Sequence, residues 1–155
     1  IKEKNTNKKH LNVLRNLWKK IGSRVAIMDS KKHDAIFSMT SHLPHLIAYN
    51  LVKTATDFEK TQRYELIKFS AGGLRDFSRI AASNEIMWRD IFFDNQKNIS
   101  KNIDLFNKNL QSFKKDIQSN NSKLIIKKLI DTKKVRKKII ELKQDTNEPD
   151  FGRNT

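Results

Sequence analysis

Apolar residues recur at helical spacing along most of the chain. Leu11, Leu14, Leu17, Trp18 and Ile21 fall three and four apart, which predicts a first helix, and Gly22 supplies its stop. Arg24 to Met28 (RVAIM) is a short apolar run of strand type. A lone strand leaves its ladder groups unpaired, so residues 1–28 are expected to be the last helix and strand of an upstream α/β domain that is missing from this sequence. From Asp29 or Ser30, a plausible cap, helical spacing resumes through Ile36, Phe37, Met39, Leu43, Leu46, Ile47, Leu51 and Val52. One long helix follows, with a bend expected at Pro44, where the ring removes a backbone bond and clashes one turn back.

A short helix is expected over residues 57–70, around Phe58, Tyr64, Leu66 and Ile67. Met87, Ile91, Ile99, Ile103, Phe106, Leu110, Phe113 and Ile117 then predict a long amphipathic helix from Ser83 to about Asn120, capped by Ser83 or Asn84. Asn120 and Asn121 break it, and a last Lys-rich helix spans Leu124 to Leu142. The tail at 145–155 holds Pro149 and Gly152 and is expected to be disordered. The fold class is therefore mainly α: a bundle of long helices over 29–144, preceded by a helix-strand remnant at 1–28. A helix of more than about 30 residues exceeds what a small monomer needs, so part of its apolar face is expected to serve a partner chain.

Composition narrows the function classes. The chain has 155 residues, enough for one domain with a real core, and begins at Ile1, which reads as a truncated or processed end. It has no cysteine, which excludes disulfides and thiolate metal sites and is compatible with a cytoplasmic location. No run approaches the roughly 20 apolar residues of a membrane span, so no membrane partner is expected. The formal charge is +15, but residues 33–120 hold 12 Lys/Arg against 10 acids, and the excess sits at the two ends. Nucleic-acid modules more often interleave Arg with aromatics on one face. A basic helical module that binds nucleic acid or an acidic partner is thus the alternative reading, and no nucleic acid is the expectation.

Two stretches carry candidate chemistry. In SHLPHLIAYNL (41–51), Ser41 and His45 are four apart and share a helix face beside Pro44. They fit either a ligand site or a hydrogen-bonded core histidine, and His42 with His45 lacks a companion carboxylate for a metal set. In AGGLRDFSRIAASNEIMWRDI (71–91), Gly72 and Gly73 offer backbone freedom ahead of a helix that carries Arg75, Asp76 and Arg79. Asp76 and Arg79 can pair at i,i+3 as a staple, or the guanidinium can take a carboxylate through two parallel bonds.

The order MDSKKHDAIFSMTSHLPHLIAYNL (28–51), then AGGLRDFSRIAASNEIMWRDIFFDN (71–95), resembles the C-terminal helical region of bacterial prephenate dehydrogenases and their cyclohexadienyl and arogenate relatives, over roughly residues 11–118. The resemblance implies an oxidative decarboxylation of prephenate to 4-hydroxyphenylpyruvate in tyrosine biosynthesis. NAD or NADP would be bound mainly by a Rossmann-type N-terminal domain, and that domain would also hold the catalytic histidine. It implies a homodimer through the long helices, prephenate or arogenate as substrate, and tyrosine as a candidate inhibitor. By the same resemblance Arg79 binds a substrate carboxylate, Ser41 and His45 line the pocket, and Asp76, Gly72, Gly73 and Trp88 surround it. Leu74, Ser78 and Asn84-Glu85 depart from the family's common Phe, Thr and Asp-Pro without removing a polar group of the clamp. No GxGxxG is present, so these 155 residues alone are expected to be inactive.

Overall fold

The computed structural model describes residues 1–145 and divides them into two compact units, 1–104 and a second beginning at Leu105. In the first unit, α1 (Lys8–Lys20) is capped by Asn7, whose side chain accepts from the Lys9 and His10 amides. Gly22 ends it at φ +87°, and the Ser23 amide donates to the Trp18 carbonyl at 2.9 Å, a closure that L side chains resist. Arg24 to Met28 is not a strand, which corrects the sequence-based expectation. With no second strand among the described residues it forms no ladder, and its backbone is joined to residues 1–7 by a bond from the Lys2 amide to the Met28 carbonyl at 2.8 Å.

The helix expected from Asp29 onward forms in two parts. Asp29 caps α2 (Ser30–Phe37) by accepting from the Lys32 amide at 2.9 Å. A π-helical turn over Ser38–His42 follows, in which the Leu43 amide donates to the Ser38 carbonyl five residues back, and α3 (Leu43–Gln62) continues from it. Pro44 explains the interruption, because it has no amide to give the carbonyl four residues earlier and its ring crowds that turn. No residue stops α3 before Arg63, which takes the left-handed conformation at φ 58°. The short helix expected at 57–70 is thus the end of α3 plus a 3-10 turn at Leu66–Phe69.

Helix α4 (Gly72–Ala81) packs against α3, and the Tyr49 hydroxyl donates to the Ser83 carbonyl at 2.9 Å to fix the end of α4. Asn84 caps α5 (Glu85–Asp94) through the Met87 amide at 2.8 Å. The long helix expected from Ser83 is broken once, at Asn95, before α6 (Gln96–Gln118). Leu43, Ala48, Trp88 and Ile99 form the buried apolar centre of this unit.

The second unit contains α6 from Leu105 onward and α7 (Ser122–Glu141). Asn120 reverses the chain at φ 51°, and Asn121 caps α7 by accepting from the Leu124 amide at 3.1 Å, so the expected Asn-Asn break is where the hairpin turns. Across the hairpin Lys128 pairs with Asp116, a carboxylate only 7 % exposed, while its ammonium sits 4.8 Å from the centre of the Phe113 ring. Leu105, Leu110, Ile117, Ile126, Leu129, Ile130 and Val135 remain exposed, since two helices alone cannot enclose an apolar stripe on each. No helix among the described residues is long and apolar enough to cross a membrane. The expected tail at 145–155 lies, beyond Asp145, outside the described residues.

Removing Lys128 would leave Asp116 desolvated with its cation gone. Lys128→Met should therefore destabilise the protein by about 2–3 kcal/mol in urea denaturation. A change below about 0.5 kcal/mol would show that Asp116 is already well hydrated.

Candidate functional site

The π turn and the first turn of α3 set two histidines against one indole. His45 stacks on Trp88 with ring centroids 3.8 Å apart and planes 22° from parallel, while His42 meets the same indole edge-on at 6.1 Å and 78°. Phe92 adds a tilted contact at 5.5 Å. Trp88 is 5 % exposed, and its Nε1 has no hydrogen-bond partner among the described residues. A buried donor left in this state costs about 1–3 kcal/mol unless something supplies an acceptor.

Both imidazoles are held by hydrogen bonds whose direction follows from the partner. His45 Nδ1 lies 2.9 Å from the Ser41 carbonyl oxygen, which can only accept, so Nδ1 carries the proton. Asn95 Nδ2 donates to the Asp34 carbonyl at 2.8 Å, and that contact fixes the orientation of its amide. The same nitrogen is 3.2 Å from His42 Nδ1, which therefore accepts. Asn98 Nδ2 donates to Asn95 Oδ1 at 2.8 Å, and one turn further on Asn102 Nδ2 donates to Ser38 Oγ at 2.8 Å. Ser38 Oγ in turn donates to the Ala35 carbonyl at 2.8 Å, which joins the π turn to the end of α2.

The residues singled out in the sequence separate into two groups. Ser41, His45 and Trp88 come together, with Ser41 contributing its carbonyl to the contact. Arg79 and Asp76 lie on α4, which packs on the same α3. Arg79 is exposed in the last turn, with no hydrogen-bond or ion-pair partner among the described residues, which leaves its guanidinium available to an anion. Gly72 and Gly73 are not a turn: they are the first helical residues of α4, neither has a positive φ, and a Cβ on either would meet nothing within 4 Å. Their expected conformational freedom is not used in this fold, because the chain reverses earlier, between Arg63 and Ser70. A cavity of about 730 Å³ lies in that connection, lined by Arg63, Tyr64, Leu66, Phe69 and Leu74 among others, away from the indole stack.

Sequence reading missed Asn95, Asn98 and Asn102. Their spacing of three and four was the available signal, since it places three amides on one helical face beside the apolar Ile99 and Ile103.

His42 has its proton affinity held below the ordinary imidazole range, first by desolvation and then by repulsion from His33 and His45, with Asp34 pulling the other way. In the window between that lowered value and about 6.5 the unfolded chain binds the proton and the folded chain does not. Stability should therefore rise with pH through this window and level off above it. Urea midpoints measured between about pH 5 and 7 should show that slope in the parent protein and a weaker one in His42→Gln. Equal slopes would mean that His42 titrates as in the unfolded chain.

Comparison with known proteins identifies the family of this region. The family described as "Prephenate dehydrogenase, dimerization domain" matches residues 29–147. The chain is 33 % identical over 119 residues to a cyclohexadienyl dehydrogenase of Zymomonas mobilis, which covers 77 % of this chain and 41 % of that protein. It is 39 % identical over 100 residues to a prephenate dehydrogenase of Bacillus subtilis, covering 64 % and 26 % respectively. Its fold is similar to the crystal structure of prephenate dehydrogenase from Aquifex aeolicus in complex with hydroxyphenyl propionate and NAD+, with a TM-score of 0.82 and 38 % identity over 89 % of this chain and 48 % of that one. The chain thus spans less than half the length of these relatives. With the family's region running from the cap of α2 past the end of α7, the chain belongs to the prephenate dehydrogenase dimerization domain family.

Proposed function

We propose that this chain is the C-terminal part of an NAD(P)-dependent prephenate dehydrogenase, in which it supplies substrate contacts and the dimer interface. The observation that carries the reading is the family match over 29–147, a span that contains the His45–Trp88 stack and Arg79. The reaction would be oxidative decarboxylation of prephenate to 4-hydroxyphenylpyruvate. NAD is favoured as cofactor because the similar Aquifex aeolicus enzyme was crystallised with NAD+.

The described residues do not themselves fit a dinucleotide. They contain no strand and no Gly-rich turn leading from strand to helix, so nothing in them cradles a pyrophosphate. In this reading the cofactor is bound mainly by a nucleotide-binding domain that precedes the helical domain of 29–144 and has residues 1–28 as its last part.

The share of this chain is recognition. Prephenate carries two carboxylates, and the exposed guanidinium of Arg79, which has no hydrogen-bond or ion-pair partner among the described residues, binds one of them through paired charge-assisted bonds. His45 and Ser41 line the pocket beside the ring, with Trp88 as the flat wall behind His45 and its buried N–H as a donor still to be matched. Asp76, Gly72 and Gly73 lie with Arg79 on α4, at the positions that the family resemblance sets around the same pocket. The exposed apolar faces of α6 and α7 are covered by a second copy, as the dimerization-domain family suggests.

Arg79→Ala in the full-length protein should lower kcat/KM for prephenate by about 100-fold, mostly through KM, with KM for NAD within about twofold of the parent. A prephenate kcat/KM within twofold of the parent would remove Arg79 from the clamp. Absence of prephenate turnover in the parent full-length protein would reject the function itself.

A further inference from the structure

Neighbouring histidines usually share an environment, but here each has its proton assigned by a different acceptor or donor. Ser41 offers a carbonyl oxygen to His45 Nδ1 at 2.9 Å, while Asn95 offers an N–H to His42 Nδ1 at 3.2 Å. The Asn95 amide cannot be turned to reverse this, because its Nδ2 also faces the Asp34 carbonyl at 2.8 Å and its Oδ1 accepts from Asn98 at 2.8 Å. Asn95 is itself 7 % exposed, so a lost or mismatched bond there is not repaired by bulk water.

We propose that Asn95 is a positioning residue that holds His42 and His45, both in contact with Trp88, in opposite tautomers. His42 is neutral with its proton on Nε2, and His45 carries its proton on Nδ1 and keeps Nε2 as an acceptor. Asn95 acts on His45 only through others: it fixes the His42 ring, which meets the indole in a T-shaped contact with centroids 6.1 Å apart, and the indole face in turn seats His45 with centroids 3.8 Å apart. The groups that act electrostatically on His42 are His33, Asp34 and His45. His33 Nδ1 is itself engaged with the Asp34 carboxylate at 3.0 Å, so the uncharged Asn95 amide is what selects the His42 tautomer.

This inference rests on the proposed role of His45 in substrate recognition for its consequence in turnover, but its structural half is tested separately. Ring nitrogens of 15N-histidine-labelled full-length protein, assigned with His42→Gln and His45→Gln, report the tautomers directly by NMR. At neutral pH, His42 should show an unprotonated Nδ1 and His45 an unprotonated Nε2. The same tautomer in both rings, or a protonated His42, would overturn the proposal.

Asn95→Asp replaces the donor by an acceptor and should raise the His42 protonation midpoint by roughly one pH unit or more. It should also move the acid limb of the prephenate KM profile in the same direction while kcat changes less. An unchanged His42 midpoint in a folded Asn95→Asp protein would overturn the positioning role. Should that variant not fold, Asn95→Gln serves instead: it keeps a donor at altered reach and should weaken the tautomer preference of His42 without adding charge, and an unaltered preference would overturn the role. A shifted midpoint with an unaltered KM profile would leave the tautomers standing and count against His45 as a substrate contact.

Discussion

The indole of Trp88 is the contact on which the first unit depends. Burying an aromatic of this size removes some 150–250 Å² from water, worth about 4–6 kcal/mol at 25 cal/mol per Å². That outweighs the roughly 1–3 kcal/mol lost at an N–H with no partner among the described residues, so the side chain stays buried. Stacking on His45 and the edge contact with His42 then turn a hydrophobic anchor into a device that orients two imidazoles.

The π turn exists to make this possible. In a regular α-helix His42 and His45 would follow the 3.6-residue register through Pro44, which cannot supply its own amide bond. Widening one turn at Ser38–His42 absorbs the missing bond and rotates the chain ahead of α3. The loosened segment needs polar support: Asn95 gives it by reaching the Asp34 carbonyl and His42, Asn102 by reaching Ser38, and Asn98 by bonding the Asn95 amide oxygen. Helix break and site therefore share one cause, since Asn95 both ends α5 and holds His42.

Local rules were legible in the sequence and long-range ones were not. The Asp29 and Asn84 caps, the Gly22 stop and the Asn120-Asn121 break are set by residues within a few positions and formed as expected. The strand at Arg24–Met28 did not form, because a ladder depends on partners that local pattern cannot supply. Gly72 and Gly73 permitted a turn but did not require one, and the helix took them. The polarity of the 95, 98 and 102 positions was visible in the sequence. That Asn95 and Asn102 reach Asp34 and Ser38, some sixty residues away, follows only from the packed structure.

A double-mutant cycle between His45 and Trp88, read as prephenate kcat/KM of the full-length enzyme, tests most directly whether the stack serves substrate recognition. His45→Ala and Trp88→Leu should each cost activity, with the double variant losing about 1–2 kcal/mol less than the sum because either change already dismantles the stack. Additive losses would contradict it, since they would mean that the two rings act on turnover independently.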